Sequence, residues 1–303
     1  ASNDWPIIGM FTQPSSSSRA ECGGDCLYLA ASYVKEIESS GARVVPINYY
    51  SSEEELDFLF ESLNGFFFVG GGAAYPDSAQ YIFDKTVAAN DAGDYMPLWG
   101  TCMGFQWLLI AASRDVNILD PKTGQFDAYN LSIPLDFTES AASSYMFRNA
   151  PKDVYEILAT EDVTMNNHHY GIYTDHFLET DSLTSFFDML STNKDRQGVD
   201  FVSTIEAFKY PIFGTQWHPE KNTFEWDKEN GYPYEAINHS PHAVHISQWT
   251  GNFFVDETRK NDHKFSSDEE EDARLIYNYP KTRSGPDFVE TYYFAKDFSL
   301  KKK

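Results

Sequence analysis

The chain has 303 residues, of which 42% are hydrophobic and 16% aromatic, so it can bury a sizeable core and a disordered chain is excluded. Its 46 acidic residues against 23 basic ones give a formal net charge of −23, which excludes the basic surface that a nucleic-acid partner needs. No apolar run approaches the ~18–20 residues of a membrane-spanning helix, so no membrane partner is expected. The acidity has two readings: a solubilising surface, or a compartment near pH ~4–5 where self-repulsion is relieved.

In chain order, Ile7–Phe11 is expected as a short buried strand and Leu27–Ile37 as a helix, ended by Ser39-Ser40-Gly41. Arg43–Ile47 is the second strand. Ser52 and Glu55 form a capping box, and Leu56, Leu59, Phe60 and Leu63 then line one helical face. Phe66–Val69 is a third strand running into Gly70-Gly71-Gly72, followed by a helix from Pro76 to Asn90 and a strand Tyr95–Trp99. Strands separated by helical segments of about 10–15 residues form βαβ units and a mostly parallel sheet. Such sheets carry their sites at the carboxyl ends of the strands, where Gly70–Gly72 and Cys102 both lie.

Between Asn117 and Asp162 the pattern weakens, with short antiparallel strands expected in Leu119–Phe137. Val199–Phe208 and Tyr210–Trp217 are two more strands, and Ala243–Lys260 is a late helix. An acidic exposed run covers about 266–272, and Val289–Ala295 is expected as an edge strand. No repeat or linker divides the chain, so residues 1–303 are expected to form a single domain.

The chemistry concentrates in three places. In Trp99-Gly100-Thr101-Cys102-Met103-Gly104-Phe105-Gln106 a strand turns sharply into a helix, with a cysteine at the turn and a glycine two residues to either side. The turn sets the sulfur at a helix N-terminus, which favours thiolate, and aims the Met103 N–H at a developing oxyanion. In Gly214-Thr215-Gln216-Trp217-His218-Pro219-Glu220, Pro219 holds His218 extended, and Glu220 faces the same side to orient the imidazole. The amides of Gly70 and Gly71 are candidates for the other half of an oxyanion hole; the competing reading is a plain strand-to-helix turn. A phosphate cradle would need the lysine and hydroxyl of a P-loop, which are missing here.

The remaining signals are weaker. Cys22 and Cys26 are spaced to close a small loop disulfide, leaving Cys102 unpaired. Asn130-Leu131-Ser132 and Asn238-His239-Ser240 are glycosylation acceptors in form, the second followed by an unfavourable Pro241. His239, His242 and His245 lack flanking acids or cysteines, so no metal is expected there. The chain opens directly into Trp5-Pro6-Ile7-Ile8-Gly9, as a form processed from a secretory precursor would.

Together the three chemical segments carry the pattern of the class I glutamine amidotransferase-like superfamily. Within it the chain resembles the γ-glutamyl hydrolase (folylpolyglutamate hydrolase) family from roughly Pro6 to Phe298. The resemblance rests on PIIGMFTQ, LAASYVKEIESSGARVVPI, GDYMPLWGTCMGFQ, MFRN, KYPIFGTQWHPEKNTFEW, FFVDETRKN and RLIYNYP. It implies a flavodoxin-like three-layer αβα sandwich with a mostly parallel central sheet. It implies hydrolysis of the poly-γ-glutamyl tails of folates and antifolates, without metal or organic cofactor, by a homodimer that is lysosomal or secreted. By position, Cys102 matches the nucleophile, His218 the general base and Glu220 its orienting acid. His168 and Tyr33 match residues at the substrate, and Lys221 a basic residue suited to a glutamate α-carboxylate. Gln106 departs from the glutamate of some γ-glutamyl hydrolases and resembles the amidotransferases, which bears on substrate discrimination. The rival readings are a glutaminase domain releasing ammonia from glutamine and a catalytically silent secreted glycoprotein that binds such ligands.

Overall fold

Strand β1 (Ile7–Phe11) is apolar on both faces and fully buried, as a central parallel strand must be. In the computed structural model, which describes residues 2–15, 25–120 and 126–298, it is followed by the short β2 (Gln13–Pro14) and by β3 (Cys26–Ala30). Helix α1 (Ala31–Ser39) begins only after β3, so the helix expected over Leu27–Ile37 is strand as far as Ala30. The run Leu27–Ala30 has strand neighbours on both sides and is apolar on both faces, a pattern whose periodicity does not separate strand from buried helix.

The βαβ alternation continues with β4 (Arg43–Ile47), α2 (Glu53–Ser62), β5 (Gly65–Phe68), α3 (Asp77–Asp91), β6 (Leu98–Thr101) and α4 (Met103–Ser113). Ser52 caps α2 as expected, its hydroxyl accepting from the Glu55 N–H at 3.3 Å. Strand β6 starts three residues later than Tyr95, just past Pro97, which has no N–H to offer a ladder.

The stretch of weak pattern holds β7 (Ala128–Ile133), β8 (Asp136–Phe137) and α5 (Lys152–Thr160), then β9 (Thr164–His168), α6 (Thr174–Glu179), α7 (Asp181–Thr184) and β10 (Phe187–Lys194). The short antiparallel strands expected there are real: β7 pairs with β9, and β8 with β10. The chain continues through β11 (Asp200–Ala207), β12 (Ile212–Thr215), α8 (Lys221–Phe224), the hairpin β13 (Lys228–Glu229) and β14 (Tyr232–Pro233), and α9 (Pro241–Thr258). It closes with α10 (Asp268–Arg274), β15 (Lys281–Arg283) and β16 (Glu290–Ala295).

The main sheet has eight strands in the order β4-β1-β5-β6-β12-β11-β10-β8. The first five are mutually parallel and the last three antiparallel. Helices α1, α5, α8 and α9 pack together, as do α2, α3, α4 and α7, giving a three-layer αβα sandwich. One continuous core runs from Ile7 to Phe298, so the chain forms a single α/β domain.

One expectation near the end needs correction. Strand β16 is not an edge: it lies between β15 and β3 in a second, four-stranded sheet. Thr291, Tyr292 and Phe294 are buried, and both of its sides are paired. The acidic run at 266–272 is largely exposed, as expected. Ser267 caps α10, whose acidic first turn suits the positive helix end, while Arg43 pairs with Glu271 and Arg274 with Glu55.

Candidate active site

Strand β6 ends at Thr101, and Cys102 sits between it and α4 with φ 54°, ψ −105°, a conformation L-residues avoid. The two flanking glycines are obligatory. A Cβ on Gly100 would lie 2.5 Å from the Gly104 carbonyl oxygen, and one on Gly104 would collide with the Phe68 backbone at the end of β5. The elbow is therefore pressed against the Gly70–Gly72 loop, and the Ala73 N–H reaches Met103 Sδ at 3.1 Å.

The histidine arrives from the adjoining strand. Thr101 pairs with Thr215 across parallel β6 and β12, and the Cys102 N–H donates to the Thr215 carbonyl at 2.8 Å. Residues distant in sequence thus leave the sheet side by side. The backbone N–H of His218 is pinned to the Met165 carbonyl at 2.8 Å, and its Nδ1 lies 2.7 Å from Glu220 Oε1. A Cβ on Gly70 would face both the ring and Cys102, so the two side chains converge on one spot. Burial alone would lower the His218 pKa, but the negative charges of Glu220 and Cys102 outweigh it and raise the pKa to about 10. An imidazolium is the favoured state.

Gly70 shows how tightly these groups converge. A Cβ there would lie 2.9 Å from His218 Cε1 and 3.3 Å from Cys102 Cβ, and would collide with Tyr33 Oη. Tyr33 Oη accepts from the Gly70 N–H at 3.1 Å and lies 3.2 Å from His218 Nδ1. The expected oxyanion donors therefore separate. The Gly70 N–H is already engaged, whereas those of Gly71 and Met103 have no protein acceptor among the described residues. Cys102, His218, Tyr33, Gly70 and Gly71 line one cleft of about 220 Å³.

The other expected residues divide. Lys221 lines the cleft but is buried, its Nζ 2.5 Å from Glu235 Oε2; burial would lower its pKa, yet Glu235 raises it and keeps it charged. His168 does not reach the cleft. Its ring packs edge-on against Phe126 and Phe201, with nitrogens 2.9 Å from the Tyr170 carbonyl and 3.2 Å from Asn166 Oδ1. Burial lowers its pKa to about 3, so it is neutral. The neighbour Asn167 lines the cleft instead, because successive side chains of a strand face opposite sides. Asn167 Nδ2 donates to Glu235 Oε1 at 2.7 Å, which ties Asn167, Glu235 and Lys221 into one cluster. Gln106 also turns away, donating to the Tyr170 carbonyl at 2.7 Å.

Both glycosylation acceptors are engaged. Asn130 Oδ1 accepts from the Ala236 N–H, and Asn238 donates to the Asp162 carbonyl at 2.9 Å while accepting from the Ser240 N–H at the cap of α9. Of the three histidines of that region, His242 pairs with Glu161 and His245 with Asp153, while His239 stacks on Trp226. The expected Cys22–Cys26 link involves Cys22, outside the described residues. Among the described residues no helix is long and apolar enough to cross a membrane.

Residues 21–230 match the family "Glutamine amidotransferase class-I". Over 296 residues the chain is 41% identical to gamma-glutamyl hydrolase B of Dictyostelium discoideum, covering 96% of this chain and 82% of that protein. Over the same length it is 40% identical to gamma-glutamyl hydrolase of Mus musculus, covering 95% and 89%. Gamma-glutamyl hydrolase 1 of Arabidopsis thaliana is 36% identical over 300 residues, covering 96% and 83%. The chain belongs to the class I glutamine amidotransferase family and, within it, to the γ-glutamyl hydrolases.

Proposed function

We propose that the chain hydrolyses the γ-glutamyl amide bonds of folylpoly-γ-glutamates and antifolate polyglutamates through a γ-glutamyl thioester on Cys102. The observation that carries this reading is the convergence of Cys102, His218 and Tyr33 on the one face of Gly70 where no Cβ fits. The Cys102 thiolate attacks the γ-carbonyl, and the oxygen that gains charge is held by the N–H groups of Gly71 and Met103. His218, kept as imidazolium by Glu220, gives its proton to the departing amine. The neutral ring then takes a proton from water as it attacks the thioester, which frees the glutamyl carboxylate and restores the thiolate–imidazolium pair. The buried Lys221–Glu235–Asn167 cluster lies at the wall of the cleft and orders its lining. Likeness to the family supports a lysosomal or secreted residence and a homodimer.

The test is turnover of a pteroyl-oligoglutamate with the products identified by mass spectrometry. Cys102→Ala is expected to release no glutamyl product while keeping its circular dichroism. Ordinary turnover by that variant would overturn the reading. Release of ammonia from free glutamine, with no cleavage of the oligoglutamate, would favour a glutaminase.

A further inference from the structure

Gln13 lies at the carboxyl edge of the main sheet, two residues beyond β1, and its side chain is buried. Its amide grips the glycine loop at two points. Nε2 donates to the Gly70 carbonyl at 2.7 Å, and Oε1 accepts from the Gly72 N–H at 3.3 Å. The side chain fills the space where a Cβ on Gly71 would stand, since such a Cβ would collide with Oε1, Nε2 and Cδ of Gln13. The Gly70 N–H is separately held by Tyr33 Oη at 3.1 Å. The Gly70 carbonyl and the N–H groups of Gly70 and Gly72 are thereby fixed, and the Gly71 N–H is left over. Its direction is set by the plane of the Gly70–Gly71 peptide, whose carbonyl Gln13 clamps, while the bond to the Gly72 N–H holds the next peptide.

We infer that Gln13 is a positioning residue that aims the Gly71 N–H at the oxyanion, an inference that rests on the thioester mechanism above. It touches neither the reacting sulfur nor the imidazole. Its effect passes through the peptide on either side of Gly71, so it acts on the tetrahedral state and leaves formation of the thiolate alone. Each peptide plane is rigid, and clamping the carbonyl of Gly70 therefore also fixes the N–H of Gly71 within the same unit. An oxyanion donor is worth something only when it stands in place before the charge develops.

Gln13→Met keeps the length of the side chain and removes both hydrogen bonds. We expect kcat to fall by about 100-fold with KM little changed. Affinity for a γ-glutamyl aldehyde, whose hemithioacetal oxygen occupies the same hole, is expected to fall in parallel. Alkylation of Cys102 by iodoacetamide forms no oxyanion and is expected to keep its wild-type rate. Undiminished kcat, or alkylation that drops together with kcat, overturns the inference.

Should Gln13→Met fail to fold, Gln13→Glu decides. The introduced carboxylate repels the Gly70 carbonyl, whereas the protonated acid donates to it and still accepts from Gly72. Relative to wild type, the kcat of Gln13→Glu should recover by about tenfold between about pH 7.5 and about pH 4.5. The titratable groups around the loop are Tyr28, Tyr33, Cys102 and His218, with Glu220 behind His218 and Lys221, Glu235 and Asp287 elsewhere in the cleft. All are common to both proteins, so the ratio isolates position 13. A flat ratio overturns the inference. A wild-type protein that leaves γ-glutamyl amides intact defeats the underlying mechanism instead, and is told apart by that measurement alone.

Discussion

Two segments meet in the cleft, and they are held in place by different physics. The elbow around Cys102 is fixed by shape: a positive φ, and two glycines with backbone where their Cβ atoms would be. The segment from His218 to Glu235 is fixed by charge, through the His218–Glu220 and Lys221–Glu235 pairs, all four groups buried. Steric placement is indifferent to pH and salt. Buried charge is little screened by salt but tied to protons. The nucleophile is therefore placed once and for all, while its partner is placed conditionally.

The contrast is broken most severely on the charged side. Glu220→Gln removes the carboxylate that favours imidazolium, and kcat should drop by about 1,000-fold, with the thermal midpoint lowered as well because His218 loses the charge that stabilises its buried ring. Steady-state kinetics beside a melting curve checks both halves. Lys221→Met leaves Glu235 buried without its partner and should cost about 3 kcal/mol in urea unfolding, most of it recovered in Lys221→Met with Glu235→Met. On the steric side, Gly104→Ala pushes a methyl group into the Phe68 backbone and should cost about 2 kcal/mol, equally at about pH 5 and about pH 8. A pH-dependent loss there would erase the distinction.

The pH profile of stability probes the charged side without any substitution. His218 has a folded pKa of about 10 against an ordinary 6.5, so its contribution is full below pH 6.5 and is lost as pH rises towards 10. Burial raises the Glu225 carboxyl to about 7 from 4.5, so its contribution is likewise lost on raising the pH across that window. His168, lowered to about 3 from 6.5, works the other way and loses its contribution as pH falls through that range. The last two oppose each other between pH 4.5 and 6.5, leaving a plateau, and stability declines on the alkaline side. Unfolding free energies across the range should show this shape, and Glu225→Gln should tilt the plateau so that stability rises with pH.

The division between shape and charge also explains what could be read from residues alone. The elbow was legible because its glycines are local necessities, and the histidine segment because Pro219 stands between His218 and Glu220. The parallel half of the sheet was legible from its βαβ spacing. Gln13 and Glu235 carried no such mark, since their roles exist only where distant segments meet. In the Asn167-His168 pair the eye falls on the histidine, yet strand parity turns the asparagine to the cleft; a strand assigned over Thr164–His168 would have revealed this. Leu27–Ala30 misled because a strand buried on both faces has no alternation to read.

The second sheet ties the cleft to the order of synthesis. Strand β16, the last one described, zips onto β3, and β3 runs directly into the helix that carries Tyr33. A ribosome emits β3 long before its neighbour, since Ala30 and Glu290 stand near opposite ends of the chain. The strand that leads into the Tyr33 helix is therefore paired on its second side only once that late segment has been made.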